Sequence, residues 1–171
     1  MQSANRRVDV PQAGEERLKT KRQIRKVIDR LDRLVEAAWE RREAWEKEHP
    51  GEDRPHICEG VGVIGRCTDT SVWLADHLGG IIHGYLHDDN PTAILGEPEG
   101  GHDFVIVDDR WLVDWWAKDT YQERDLYDLE NPSDRAEALR LYGDPEKWIS
   151  MSTENFLKNL EFLRDVKESD Q

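Results

Sequence analysis

Cysteine is scarce in this chain: Cys58 and Cys67 are the only two among 171 residues. Two thiols cannot form a disulfide scaffold, and a chain of this length can bury a core without disulfides or a structural metal. No apolar run reaches membrane-spanning length, and the start MQSANRRVDV lacks the apolar core of a secretory signal. The expectation is a cytoplasmic protein, or one delivered without a recognisable signal peptide, with free thiols and no membrane partner. Basic charge is also short, with 24 Lys/Arg against 37 Asp/Glu for a net charge of −13.

The deficit is uneven. Residues 1–50 hold 13 basic and 10 acidic side chains, and residues 51–171 hold 11 and 27, a net of −16. An acidic body disfavours nucleic acid, because phosphate contacts need clustered Lys/Arg. The one basic run, Lys19, Lys21, Arg22, Arg25 and Lys26, reads as a solvated helix face beside the acidic body. Apolar residues are only 37%, which points to flexible ends, while seven Trp and three Phe require a folded interior.

Residues 1–13 read as a flexible arm and 14–48 as a helical extension. Ile24, Val27, Ile28, Leu31, Leu34, Val35, Ala38 and Trp39 recur there at three- and four-residue steps with no Gly or Pro between them. His49-Pro50-Gly51 ends that stretch, and 49–171 reads as the main domain. The segment Gly60–Gly65 leads into Cys67 without the Gly-Lys-Ser/Thr of a phosphate loop. Residues 67–78 read as a helix closed by Gly79-Gly80. Three strands are expected, at 81–86, 103–107 and 111–116, the last two forming a hairpin about the turn Asp108-Asp109-Arg110. Helices are expected at Asp134–Tyr142 and Thr153–Val166.

Three side chains stand out against this layout. Cys67 falls at a helix start, where unpaired N–H groups and the positive end of the dipole favour a thiolate and can hold an oxyanion. His102 follows 35 residues later at the mouth of the second strand, and Asp114 another 12 residues on. The hairpin brings the latter two to the same end. A carboxylate within the apolar run WLVDWWA needs a partner. An imidazole N–H would supply one, fixing the tautomer and stabilising the imidazolium. Each residue alone has an ordinary structural explanation; the ordered set reads as a nucleophile, a general base and its orienting acid.

The stretches GRCTDTSVWLADHLGG, IIHGYL and GHDFVIVDDRWLVDWWA resemble the core of the transglutaminase-like superfamily. Its members place Gly-x-Cys at the start of a central helix, then a Gly-Tyr strand, a His-initiated strand and a Trp-x-x-Asp strand. Here these are Gly65/Cys67, Gly84-Tyr85, His102 and Trp111/Asp114, over about residues 60–117. The resemblance implies a papain-like α+β fold, a central helix on a small antiparallel sheet. It also implies acyl transfer through a Cys67 thioester with Cys67, His102 and Asp114 catalytic, no cofactor and no metal, and a protein or peptide substrate. Peptide or amide hydrolysis, deamidation and transglutaminase-like crosslinking all lie within that chemistry. Two departures are visible: Asp103, rather than an aromatic, follows His102, and Trp115 rather than Pro follows Asp114. An inactive binding module that keeps the fold and an effector or toxin deamidase are the alternative readings.

Other candidates carry less. Cys58 is either a buried thiol or a redox partner of Cys67, and His56 could assist an oxyanion. His83 and His87 lie about 13 Å apart if extended, too far to share a metal. His77 reads as a partly exposed helical histidine. Asp108 and Asp109 read as turn residues. Trp73, Trp111, Trp115 and Trp116 read as core before groove lining.

Overall fold

In the computed structural model, which describes residues 19–51, 67–96 and 100–151, the first element opens on a reciprocal cap. The Thr20 hydroxyl accepts from the Gln23 backbone N–H at 3.3 Å and the Gln23 side chain accepts from the Thr20 N–H at 2.8 Å. This capping box starts α1 (Lys21–Glu48) at Lys21, so Lys19 and Thr20 are not helical as the range 14–48 had them. The arm 1–13, the glycine-rich segment 60–65 with His56 and Cys58, and the helix expected at 153–166 lie outside the described residues. Ile24, Ile28, Leu31, Val35 and Ala38 form the buried stripe of α1, whereas Trp39 sits outside it and is exposed.

The described residues form four α-helices and a five-stranded antiparallel sheet, an α+β arrangement. After α1 come α2 (Cys67–Leu78), β1 (Ile81–Leu86), β2 (Gly101–Val107), β3 (Trp111–Val113), α3 (Trp115–Tyr121), β4 (Leu126–Asp128), α4 (Pro132–Tyr142) and β5 (Ile149–Met151). The sheet order is β4-β3-β2-β1-β5. No helix among the described residues is long and apolar enough to cross a membrane.

The β2–β3 hairpin turns through Asp108 and Asp109, both with positive φ (55° and 53°), and Arg110 N–H closes the turn on the Val107 carbonyl. Two central residues with positive φ give the primed turn whose twist matches flanking strands, and Asp tolerates it.

The expected third strand stops three residues early. Asp114 has extended φ and ψ (−147°, 92°), and its side chain accepts from Ala117 N–H as the N-cap of α3. A carboxylate that satisfies a helix's first amides ends the ladder there. Asn131 does the same for α4, with Pro132 in the first turn, so that helix starts two residues before the expected Asp134. The strands β4 and β5 and the helix α3 are additional to the expected elements, and β2 extends back to Gly101.

Side chains alternate across β2. Val105 and Val107 join Ile82, Val113 and the apolar faces of α1 and α2 in one core. Phe104 joins Tyr85, Leu112, Tyr127 and α4 residues Ala138, Leu141 and Tyr142 in a second. The sheet thus lies between α1 and α2 on one side and α4 on the other. Polar ties hold α1 in place: Asp32 accepts from Trp115 Nε1 of α3 at 2.7 Å and pairs with Lys118 of α3 at 2.9 Å, and Arg25 pairs with the buried Asp125 just before β4. The basic run from Lys21 onward therefore lies along α1, with Lys19 just before it and Arg25 reaching the acidic body.

Because Ile28 is fully buried where α1 meets the sheet, Ile28→Ala is expected to lower unfolding free energy by about 2–5 kcal/mol. Exposed Arg22→Ala should change it by no more than about 0.5 kcal/mol. Urea unfolding of the two variants measures both.

Candidate active site

Cys67 is the first residue of α2, and α2 packs against β2. The thiol is half-buried. His102 is the second residue of β2, opposite Tyr85 of β1, and is 2% exposed. Asp114 follows β3 and is 1% exposed. The register Val105↔Val113 brings β2 and the end of β3 into line, so that His102 and Asp114 meet at the same end of the hairpin.

His102 Nε2–H donates to Asp114 Oδ2 at 2.5 Å. The same oxygen accepts from the Tyr142 hydroxyl at 2.9 Å, and Oδ1 accepts from Ala117 N–H at 3.0 Å. The carboxylate is thus satisfied by three donors from β2, α3 and α4, as a buried charge requires. The Cys67 thiol lies close enough to the His102 ring to favour its protonated form. All three residues singled out in the sequence come together in this way.

Electrostatics follow from the contacts. Burial by itself pulls the His102 imidazole down; the Asp114 charge and hydrogen bond, joined by Cys67, outweigh it, and the ring is pushed up to about 10. Burial first, then the Asp114 charge, holds the Tyr142 hydroxyl well above its usual value, so it serves Asp114 as a protonated donor. Burial followed by the charges of Asp114, Tyr121 and Cys67 raises Tyr85 as well.

A cleft of about 430 Å³ opens over these residues, lined by Cys67, Thr68, Gly84, Tyr85, Leu86, Gly101, His102, Asp103 and Ile149. Leu86 and Ile149 form an exposed apolar rim, at 56% and 57% exposure. Two glycines shape the floor: a Cβ on Gly101 would run into the Tyr85 carbonyl, and one on Gly84 into the Asp103 carboxylate. Thr68 donates to Asp103 Oδ2 at 2.5 Å, a link between α2 and β2 one residue beyond Cys67 and His102.

Several contributors escaped the sequence reading. Tyr142 carries no local signal, since it reaches Asp114 only because α4 packs beneath the sheet. Its position is set by Asn90, buried in the loop after β1, which donates to the Tyr142 carbonyl at 2.9 Å and accepts from Asp144 N–H at 3.0 Å. Asp103 and Thr68 each directly follow a singled-out residue, and that adjacency was the available clue.

The other histidines among the described residues do not join the site. His77 is half-buried on α2 and stacks on Trp73 with ring centroids 3.8 Å apart. His83 stacks on Phe104 in β1 and His87 lies in the turn beyond it. Among the described residues no group of three or more His, Cys, Asp or Glu is placed to hold a metal ion. Trp111 and Trp115 are core residues, Trp73 and Trp116 pack against that core, and none of the four lines the cleft.

Compared with protein-family models, curated proteins and solved structures, the chain matches none.

The folded chain holds the His102 proton up to about 10, whereas an unfolded histidine releases it near 6.5. The folded form therefore carries one more proton between those values. The stabilisation is complete below about pH 6.5 and is lost as pH rises through 10. Unfolding free energy should fall with rising pH across this window, and His102→Gln should remove that part of the slope. Denaturant titrations at closely spaced pH values provide the measurement.

Proposed function

We propose that this chain is a cysteine-dependent acyl-transfer enzyme on a papain-like, transglutaminase-like core, acting on an amide of a protein or peptide. The observation that carries this reading is the buried relay from Asp114 through His102 to a half-exposed thiol at the tip of α2, facing an open cleft. Thiol activation calls for a base beside the nucleophile and a third group that orients the base; Cys67 and His102 line one cleft, and Asp114 orients the imidazole.

In this mechanism the Cys67 proton passes to His102 Nδ1. The thiolate attacks the substrate carbonyl, and backbone N–H groups at the start of α2 hold the developing oxyanion. The C–N bond breaks as His102 returns its proton to the leaving amine, leaving a thioester on Cys67. Water or an amine then attacks the thioester, giving its proton to His102, and the acyl group departs with restoration of the thiol. Asp114 keeps Nε2 protonated throughout, and the upward shift of His102 strengthens the ring as the acceptor of the thiol proton.

At pH 7, iodoacetamide should label Cys67 at least about tenfold faster than Cys58, as resolved by peptide mass spectrometry. Asp114→Asn should cut the Cys67 rate steeply. Slow labelling of both cysteines at the same rate overturns the reading.

A further inference from the structure

One charged side chain in the cleft takes no part in the relay. Asp103 follows His102 on β2 but points to the opposite face, toward α2. Its seat is made by three elements. Thr68 of α2 holds Oδ2 at 2.5 Å, and Gly84 of β1 leaves the space that Oδ1 fills. Any side chain at position 84 would displace the carboxylate. Oδ1 accepts no hydrogen bond from the described residues, and no Lys or Arg among them lines the cleft. A half-buried carboxylate with one oxygen unengaged favours a cation that enters and covers it. Leu86 and Ile149 at the rim offer apolar surface for an aliphatic stem carrying that cation. The net charge of −16 over residues 51–171 draws cations toward the same body.

We propose that Asp103 determines specificity in this cleft, receiving the ammonium or guanidinium group of a basic substrate residue beside the carbonyl that Cys67 attacks. The proposal rests on Cys67 being the nucleophile and adds the substrate class.

Thiosulfonate probes test it without knowledge of the substrate. The Cys67 thiolate attacks the sulfenyl sulfur, forms a mixed disulfide and releases methanesulfinate. The full chain carrying Cys58→Ser is treated with alkyl methanethiosulfonates bearing an ammonium, a sulfonate or no charge. The ammonium reagent should react fastest. Asp103→Asn keeps an acceptor for Thr68 and should reduce the cation-to-anion rate ratio by about tenfold. Asp109→Asn removes the same charge at the hairpin turn, roughly 16 Å away, and should change the ratio by less than about twofold. An unchanged ratio in Asp103→Asn, or equal reductions in both variants, overturns the proposal while leaving Cys67 a nucleophile. A Cys67 inert to all three reagents overturns the enzyme reading and the proposal together. On the unsubstituted Asp103 background, n-butylammonium should slow labelling by the uncharged reagent and equimolar butanol should not. Equal protection by the two, or none by either, also overturns the proposal.

Discussion

The carboxylate of Asp114 is out of water, and its three hydrogen bonds organise much of the molecule around it. An isolated buried carboxylate costs many kcal/mol, so the chain must deliver donors to it from wherever they lie. They come from His102 on β2, the first turn of α3 and Tyr142 at the end of α4. Each tertiary contact that positions these elements, including the Asn90 bridge to the α4 terminus, also helps to fix the imidazole. The pair is a constraint on the fold as much as a feature of the site, because losing a partner leaves part of the buried charge uncompensated.

The thiol is brought to this pair by packing of a different kind. α2 lies on the sheet with its first residue at the open end of β2, and α1 closes over it with a stripe of Ile, Leu, Val and Ala side chains. The Thr68–Asp103 hydrogen bond ties the helix tip to β2 one residue along from the Cys67 and His102 side chains. A bridge next to the thiol restrains sliding of the helix tip, which suits a site where proton transfer demands a short, fixed separation. The cleft above stays open because Gly84 and Gly101 carry no Cβ where the floor is tightest.

The regular elements with strong patterns were legible in the sequence. The stripe of α1, the helix 67–78, the strand 81–86 and the hairpin about Asp108-Asp109 all follow from local periodicity and turn chemistry. The short pieces were not. β4 and β5 have three residues each, too few to show a period, and they are strands because β3 and β1 offer free edges. WLVDWW reads as a continuous strand since its composition is apolar and aromatic. The break at Asp114 depends on its side chain turning back to the Ala117 amide, a competition between ladder and cap that composition does not record.

What the sequence by itself determined is which residues have chemistry to offer and the order in which they fall: a thiol at a helix start, a histidine opening a strand, and a carboxylate in an apolar run that had to find a partner. Tertiary structure alone decided who that carboxylate's other partners are, that Tyr142 reaches it from 28 residues away, and that Asp103 is seated in the cleft by Thr68 and Gly84. The reason is physical: the need to satisfy a buried charge is local, but the donors that satisfy it are set by how helices and strands distant in the chain pack against one another.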